Sequence, residues 1–165
     1  MDTQQFREFI VRPTLKMMND YIPGIWSQAA ENLLVGTALV ESDLVYLHQK
    51  NGTSLGLYQI NPSTERDIMD RYIKESRFKK ELDIMFKLLY NTNRDINQLV
   101  YDLRYATIIA RLRYFKLFAS PLPDAEDIHA LGHYWNDHYN ANPNFNTVPS
   151  PADEFELKYR KAHAD

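Results

Sequence analysis

One carboxylate stands out for the chemistry it could do. Glu41 closes the apolar run Ala38-Leu39-Val40 and is followed by Ser42; the segment Gly56-Leu57-Tyr58-Gln59-Ile60-Asn61-Pro62-Ser63-Thr64 comes a short interval later. At the C-terminal end of a helix the backbone dipole is negative, so a further negative charge is disfavoured there. Apolar neighbours add a desolvation penalty on the charged form. Both effects push the carboxyl upward, toward the range in which a general acid works near neutral pH.

The other chemistry-bearing cluster is His129, His133 and His138. The first two stand one helical turn apart, as metal ligands on a helix often do. However, His129-Ala130-Leu131-Gly132-His133 lacks the Glu that follows the first His in zinc proteases. His138 is offset from the other two, and the chain has no cysteine. We expect no metal and no cofactor, and read these histidines as polar or aromatic packing beside a groove.

The elements that must hold Glu41 are helices. Residues 3–11 read as one, and Pro13 can open a second at its tolerated first-turn position. From about Ser27 to Glu41, Ala30, Leu33, Leu34, Thr37, Ala38 and Val40 form a broad apolar surface at near-helical spacing, which predicts a central, largely buried helix. Two short apolar runs flank Asn51-Gly52 within 42–63, predicting a small β-hairpin or irregular loop. Ser63 is the expected N-cap of a helix through about Ile73, and another helix covers 77–90. Asp95 with Gln98 forms a capping-box pattern that opens a long helix to about Phe118. Asp124 is the expected cap of a helix carrying His129 to about Tyr139; an Asn- and Pro-rich loop over 140–150 and a short helix from Ala152 to Lys161 complete the chain. The fold class is therefore mainly α, with a small β-hairpin or loop insertion after the central helix.

Composition agrees and narrows the function. A chain of 165 residues makes one domain, here 1–165. Five glycines are too few for a turn-rich all-β architecture. A net charge of −3 without a long basic run argues against nucleic-acid binding; the Arg111/Arg113 pair reads as a solvated helix face. Met1 to Met18 carries five charged residues and reads as no signal peptide. No segment approaches the roughly twenty apolar residues of a membrane span. Without cysteine, no disulfide is expected.

The Glu41-Ser42 pair and the Gly56–Thr64 segment resemble the soluble lytic transglycosylase family and its goose-type lysozyme relatives. In that family a Glu-Ser pair ends the central helix, and Gly-Leu-x-Gln-[Ile/Leu]-x-Pro-x-Thr follows at this spacing. The resemblance is closest over 30–64 and implies a lysozyme-like helical domain. It implies Glu41 as catalytic acid/base, Ser42 as a residue orienting it or the substrate, and Gln59 with the backbone near Leu57 and Tyr58 lining the sugar site. The family's Ala-Leu-Ala-x-Tyr-Asn segment corresponds to Ala130-Leu131-Gly132-His133-Tyr134-Trp135-Asn136, followed by His138-Tyr139-Asn140. Counting from Ala130 selects Tyr134, whereas reading the Tyr-Asn pair selects Tyr139. The interval between the Glu-Ser pair and the Gly segment lacks the family's usual Ala and Ser positions, so loop contacts do not transfer.

Arg12-Pro13, Asp102-Leu103-Arg104-Tyr105-Ala106 and the stretch Tyr134 to Asn140 are similar to features of bacteriophage proteins with this domain. That likeness implies a virion component, made in the host cytoplasm, that meets other virion or tail proteins and locally opens the wall for genome delivery. The implied substrate is the peptidoglycan glycan strand, cut between N-acetylmuramic acid and N-acetylglucosamine. The implied acceptor is the muramic acid 6-hydroxyl, giving a 1,6-anhydro end; a hydrolytic variant would need a water held by Asp43, Asp67 or Asp70. The alternative from a different class is a virion structural or assembly protein that kept the fold without activity, and a third is a glycan-binding module.

Overall fold

The computed structural model describes residues 1–91, 93–117, 120–143 and 146–164. It is mainly helical, and no helix among the described residues is long and apolar enough to cross a membrane. The first helix differs from expectation. α1 (Thr3–Phe6) continues through a π-helical stretch, Arg7–Val11, into α2 (Arg12–Tyr21) with right-handed helical backbone at both joins. Pro13 sits in the first turn of α2, and the widened turn falls just before it, where its ring would crowd a tighter one.

α3 (Gln28–Ser42) is the centre of the molecule. The Ser27 hydroxyl accepts from the Ala30 N–H and fixes its start. Every residue from Ala30 to Leu39 is buried, so the helix has no solvent face over ten residues. It lies against α8 (Leu103–Phe115), α9 (Ile128–His138) and α10 (Pro151–Ala162). Gly36 permits the closest approach: a Cβ there would lie 2.1 Å from the Phe155 ring. Its polar groups are satisfied internally, as burial demands. Thr37 donates to the Leu33 carbonyl, and its hydroxyl meets that of Tyr114 at 2.8 Å.

Of the two alternatives for the segment after α3, a hairpin or a loop, the structure has the loop. Among the described residues only two isolated bridges form, His48 with Leu55 and Leu55 with Ile60, so the insertion is a loop rather than a paired ribbon. Next come α4 (Pro62–Asp67), a π-helical stretch Ile68–Tyr72, and α5 (Ile73–Glu75). Asn61, not Ser63, caps α4: Pro62 takes the first helical position, and the Asn61 side chain accepts from the Ser63 N–H at 3.0 Å. α6 (Lys79–Tyr90) follows.

The expected long helix from Asp95 is broken in two. Gln98 does accept from the Asp95 N–H, as a capping box requires. But α7 (Gln98–Tyr101) stops at Asp102, whose extended backbone (φ −111°, ψ 95°) and side chain restart the chain as α8. The expected terminus near Phe118 lies outside the described residues. Asp127, rather than Asp124, caps α9 through the Ala130 N–H, and Ser150 caps α10.

One ion cluster pins the N-terminal helices to α3. Glu31 is fully buried, and its carboxylate accepts from Arg12 at 2.7 Å, from Arg7 at 3.2 Å and from the Trp26 indole at 3.4 Å. Burial alone would raise its pKa, yet the donors from Arg12, Arg7 and Trp26 outweigh that and hold it below the usual carboxylate value. A carboxyl lowered in the folded state contributes stability that is present above its unfolded pKa and is lost as pH falls through its folded one. Glu31→Ala is therefore expected to lower unfolding free energy by about 3–5 kcal/mol at pH 7, because it strands the buried Arg7 charge. Urea titration checks it; a change under about 1 kcal/mol would mean that the cluster adds no net stability.

Candidate active site

Glu41 occupies the last turn of α3, and Asp43 ends the helix in a left-handed conformation (φ 52°). The carboxyl is half-buried and opens onto a cleft of about 710 Å³. Gln59, Asn61, Arg113, Tyr139 and Asn140 share that cleft. The Trp135 indole donates to Glu41 Oε1 at 3.1 Å. Burial pushes the Glu41 pKa up to about 7; the Trp135 hydrogen bond and the charges of Arg113 and Lys158 pull the other way without cancelling it. The carboxyl is thus poised to give and take a proton near neutrality, with burial the main cause.

The remaining residues singled out in the sequence fall into two groups. Ser42 does not face the cleft. It is buried, with its hydroxyl 2.7 Å from the Leu57 carbonyl and 3.0 Å from that of Ala38, so it ties the end of α3 to the following loop. The Tyr58 ring is likewise in the core, beside Phe6, with its hydroxyl 3.0 Å from that of Thr107. Only its backbone bears on the site. Gln59 lines the cleft from a tight turn closed by the reciprocal Leu55–Ile60 bonds, both 3.0 Å. Gly56 opens that turn at φ 75°, and a Cβ on it would lie 1.8 Å from the Leu99 carbonyl; only glycine fits between this loop and α7.

The two tyrosine alternatives separate clearly. Tyr139 lines the cleft, stacks on Tyr114 at 5.1 Å, and donates to the Tyr58 carbonyl at 2.6 Å. Tyr134 donates to the Ser120 carbonyl at 2.8 Å and lines a different, smaller cavity. Arg113 covers Tyr139, with its guanidinium 3.7 Å from the ring centre and its Nη2 donating to the Tyr139 carbonyl. The Arg111/Arg113 pair is not a solvated face: Arg111 is buried and Arg113 is half-buried.

Among the described residues, Glu41 is the one carboxylate lining the cleft. Asp43 pairs with Lys158 at 2.8 Å, Asp67 with Arg71 at 2.7 Å, and Asp70 with Arg94 at 2.6 Å. None of these three lines it. His129, His133 and His138 also stay outside, whereas His48 lines the cleft. His129 meets Glu156 at 2.9 Å and His133 at 3.1 Å on the exposed side of α9, while the His138 ring rests on Tyr134. Among the described residues no group of three or more acidic or histidine side chains is arranged to hold a metal ion. Compared with family models, curated proteins and solved structures, the chain matches none.

The sequence reading missed the Trp135 contact with Glu41 and several cleft-lining residues, among them Arg113, His48, Gln49 and Lys50. Trp135 reads as core, and it is buried; its functional signal is that an indole N–H inside a core must find an acceptor. Arg113 carries no comparable signal, since helical spacing alone does not say which face of α8 is covered.

The raised Glu41 pKa also has a stability consequence. A carboxyl raised from 4.5 to about 7 holds its proton in the folded state while the unfolded chain has released it, so folding weakens as pH rises across that window. Glu41→Gln keeps the shape and the Trp135 acceptor while removing the charge. It is expected to gain up to about 3 kcal/mol of stability at pH 8 and almost nothing at pH 4. Thermal unfolding at the two pH values checks this; an equal effect at both would mean that Glu41 titrates as an ordinary carboxylate.

Proposed function

We propose that this chain cleaves the glycan strand of bacterial peptidoglycan between N-acetylmuramic acid and N-acetylglucosamine, with Glu41 as its single acid/base. The observation that carries this reading is one carboxyl, with a pKa of about 7, opening onto a roomy polar cleft that has no second carboxylate among the described residues. The motif resemblance over residues 30–64 supplies the substrate class and the lysozyme-like character of the domain. The cleft amides of Gln49, Gln59, Asn61, Asn140 and Asn142 suit sugar hydroxyls and acetamides.

In the proposed reaction, protonated Glu41 gives its proton to the glycosidic oxygen as the bond to the muramic acid anomeric carbon breaks. The substrate's own acetamide stabilises the cation developing there. Glu41, now a carboxylate, takes the proton of the muramic acid 6-hydroxyl as that oxygen closes on the anomeric carbon. The products are a 1,6-anhydromuramic end and a free N-acetylglucosamine 4-hydroxyl. No water enters, so one carboxyl suffices in this scheme. The engagement of Asp43, Asp67 and Asp70 in ion pairs away from the cleft favours this outcome over hydrolysis. By the likeness to phage proteins, the enzyme acts as a virion component, alongside other virion or tail proteins, that opens the wall for genome entry.

Mass spectrometry of digested muropeptides tests the reaction. Anhydro ends are expected, lighter by one water, about 18 Da, than hydrolytic ends. Activity should fall as pH rises through about 7, where Glu41 loses the proton it must donate. Glu41→Gln should lower turnover by a factor of about 100 or more while the protein stays folded. Wild type and Glu41→Gln that are equally inert on several wall types would instead favour a structural protein of the particle.

A further inference from the structure

Arg111 is the anomaly of this fold. It is 5% exposed, on the inward side of α8, and its Nε donates to the Ile25 carbonyl at 2.8 Å. Among the described residues its terminal nitrogens have no hydrogen-bond acceptor, and no carboxylate pairs with it. Its guanidinium also lies 5.3 Å from the centre of the Phe115 ring. Burial lowers its pKa to about 10, and only Tyr134, Tyr72 and Tyr114 offset the effect. Guanidinium is nevertheless charged at neutral pH, and with no carboxylate beside it among the described residues its terminal nitrogens are left to the solvent of the adjoining cavity.

The unpaired end of Arg111 lines a cavity of about 260 Å³, separate from the Glu41 cleft. Ser27 and Tyr134 bring hydroxyls to its wall, and Phe115, Leu117 and Leu122 give it an apolar rim. We propose that this cavity is a binding site for a carboxylate on a short apolar stem, received by the two terminal nitrogens of Arg111. A planar carboxylate matches the guanidinium fork with two parallel hydrogen bonds. Its single charge also balances the one cation lining the cavity among the described residues, whereas a phosphate dianion would leave a negative charge over. The volume accommodates the carboxylate with several further heavy atoms, and the rim gives those atoms apolar contact. A peptide supplies this group in two ways, as a free C-terminus or as an acidic side chain.

N-acetyl-leucine and N-acetyl-aspartate amide are the probes for these two sources, with N-acetyl-leucine amide as the uncharged control. Each is titrated into the labelled full chain while the Gly24 and Ser27 backbone amides are followed by NMR and the melting temperature is recorded. At least one acid should shift these amides saturably and raise the melting temperature, and the control should do neither. Which acid binds more tightly identifies the source. Arg111→Met should weaken binding on the order of tenfold or more, because hydrogen bonds to a charged group are lost. Leu122→Glu tests the same site with Arg111 in place: its own carboxylate at the rim should block the probe and raise the melting temperature. Equal binding of the control, undiminished binding by Arg111→Met, or no response to either acid would overturn the proposal.

Discussion

Everything in this fold follows from covering α3 on all sides. A helix without a solvent face needs neighbours around its whole circumference, and α8, α9 and α10 provide them along with the N-terminal helices. Small side chains set how near those neighbours come: Gly36 admits the Phe155 ring, and Ala30 and Ala38 are fully enclosed. The requirement reaches beyond the helix. Gly132 on α9 takes the Ala152 carbonyl of α10 so closely that a Cβ would stand 2.6 Å from it, and this packing fixes where Trp135 lies relative to Glu41.

α3 also holds two glutamates whose environments drive them in opposite directions. Glu31, fully buried near its start, falls below the ordinary carboxylate range because two arginines and an indole donate to it. Glu41, at the other end and open to the cleft, receives one indole N–H and rises to about 7. Burial raises both; the number and charge of the donors decide the sign. Arg113 is close enough to temper Glu41 but is committed to Tyr139, with its guanidinium over the ring and its hydrogen bond to the carbonyl. A direct Arg113–Glu41 ion pair would instead favour a permanent carboxylate, useless as an acid. Structural and candidate chemical roles are thus separated by donor placement along one helix.

The sequence showed α3 best, because periodicity, the Ser27 cap and length all point the same way over a buried segment. It showed α8 less well. The Asp95-Gln98 pattern is a genuine start signal, but Asp102 supplies a second one seven residues after Asp95, and local patterns do not rank two start signals in series. The segment after α3 read as a hairpin or a loop, because Asn51-Gly52 sits between apolar runs, and the sequence did not choose between them. The second run packs into the core, with Leu55, Leu57, Tyr58 and Ile60 buried, while of the first run Leu44 is buried and Val45, Tyr46 and Leu47 are exposed, and only two isolated bridges form among the described residues. Within the candidate site, Glu41, Gln59 and Tyr139 were legible as residues that could meet. Choosing Tyr139 over Tyr134 needed the orientation of α9, which puts Tyr139 in the Glu41 cleft and Tyr134 in the smaller cavity, both against Tyr114.

Arg111 and Glu41 make the same physical point with opposite charges. Each is held where its charged form is poorly compensated, and burial shifts each toward its neutral form. Neither contributes to folding in the way that Glu31 does, whose arginines answer its charge fully. A fold stabilised elsewhere by an almost wholly buried α3 can carry such uncompensated groups, and they are informative where they occur. Both border open volumes, the cleft and the smaller cavity. A group that is only an accident of packing has no reason to face space large enough for a ligand. That both do so is the strongest physical ground for reading each as a place where something else completes the electrostatics: a transferred proton for Glu41, a bound carboxylate for Arg111.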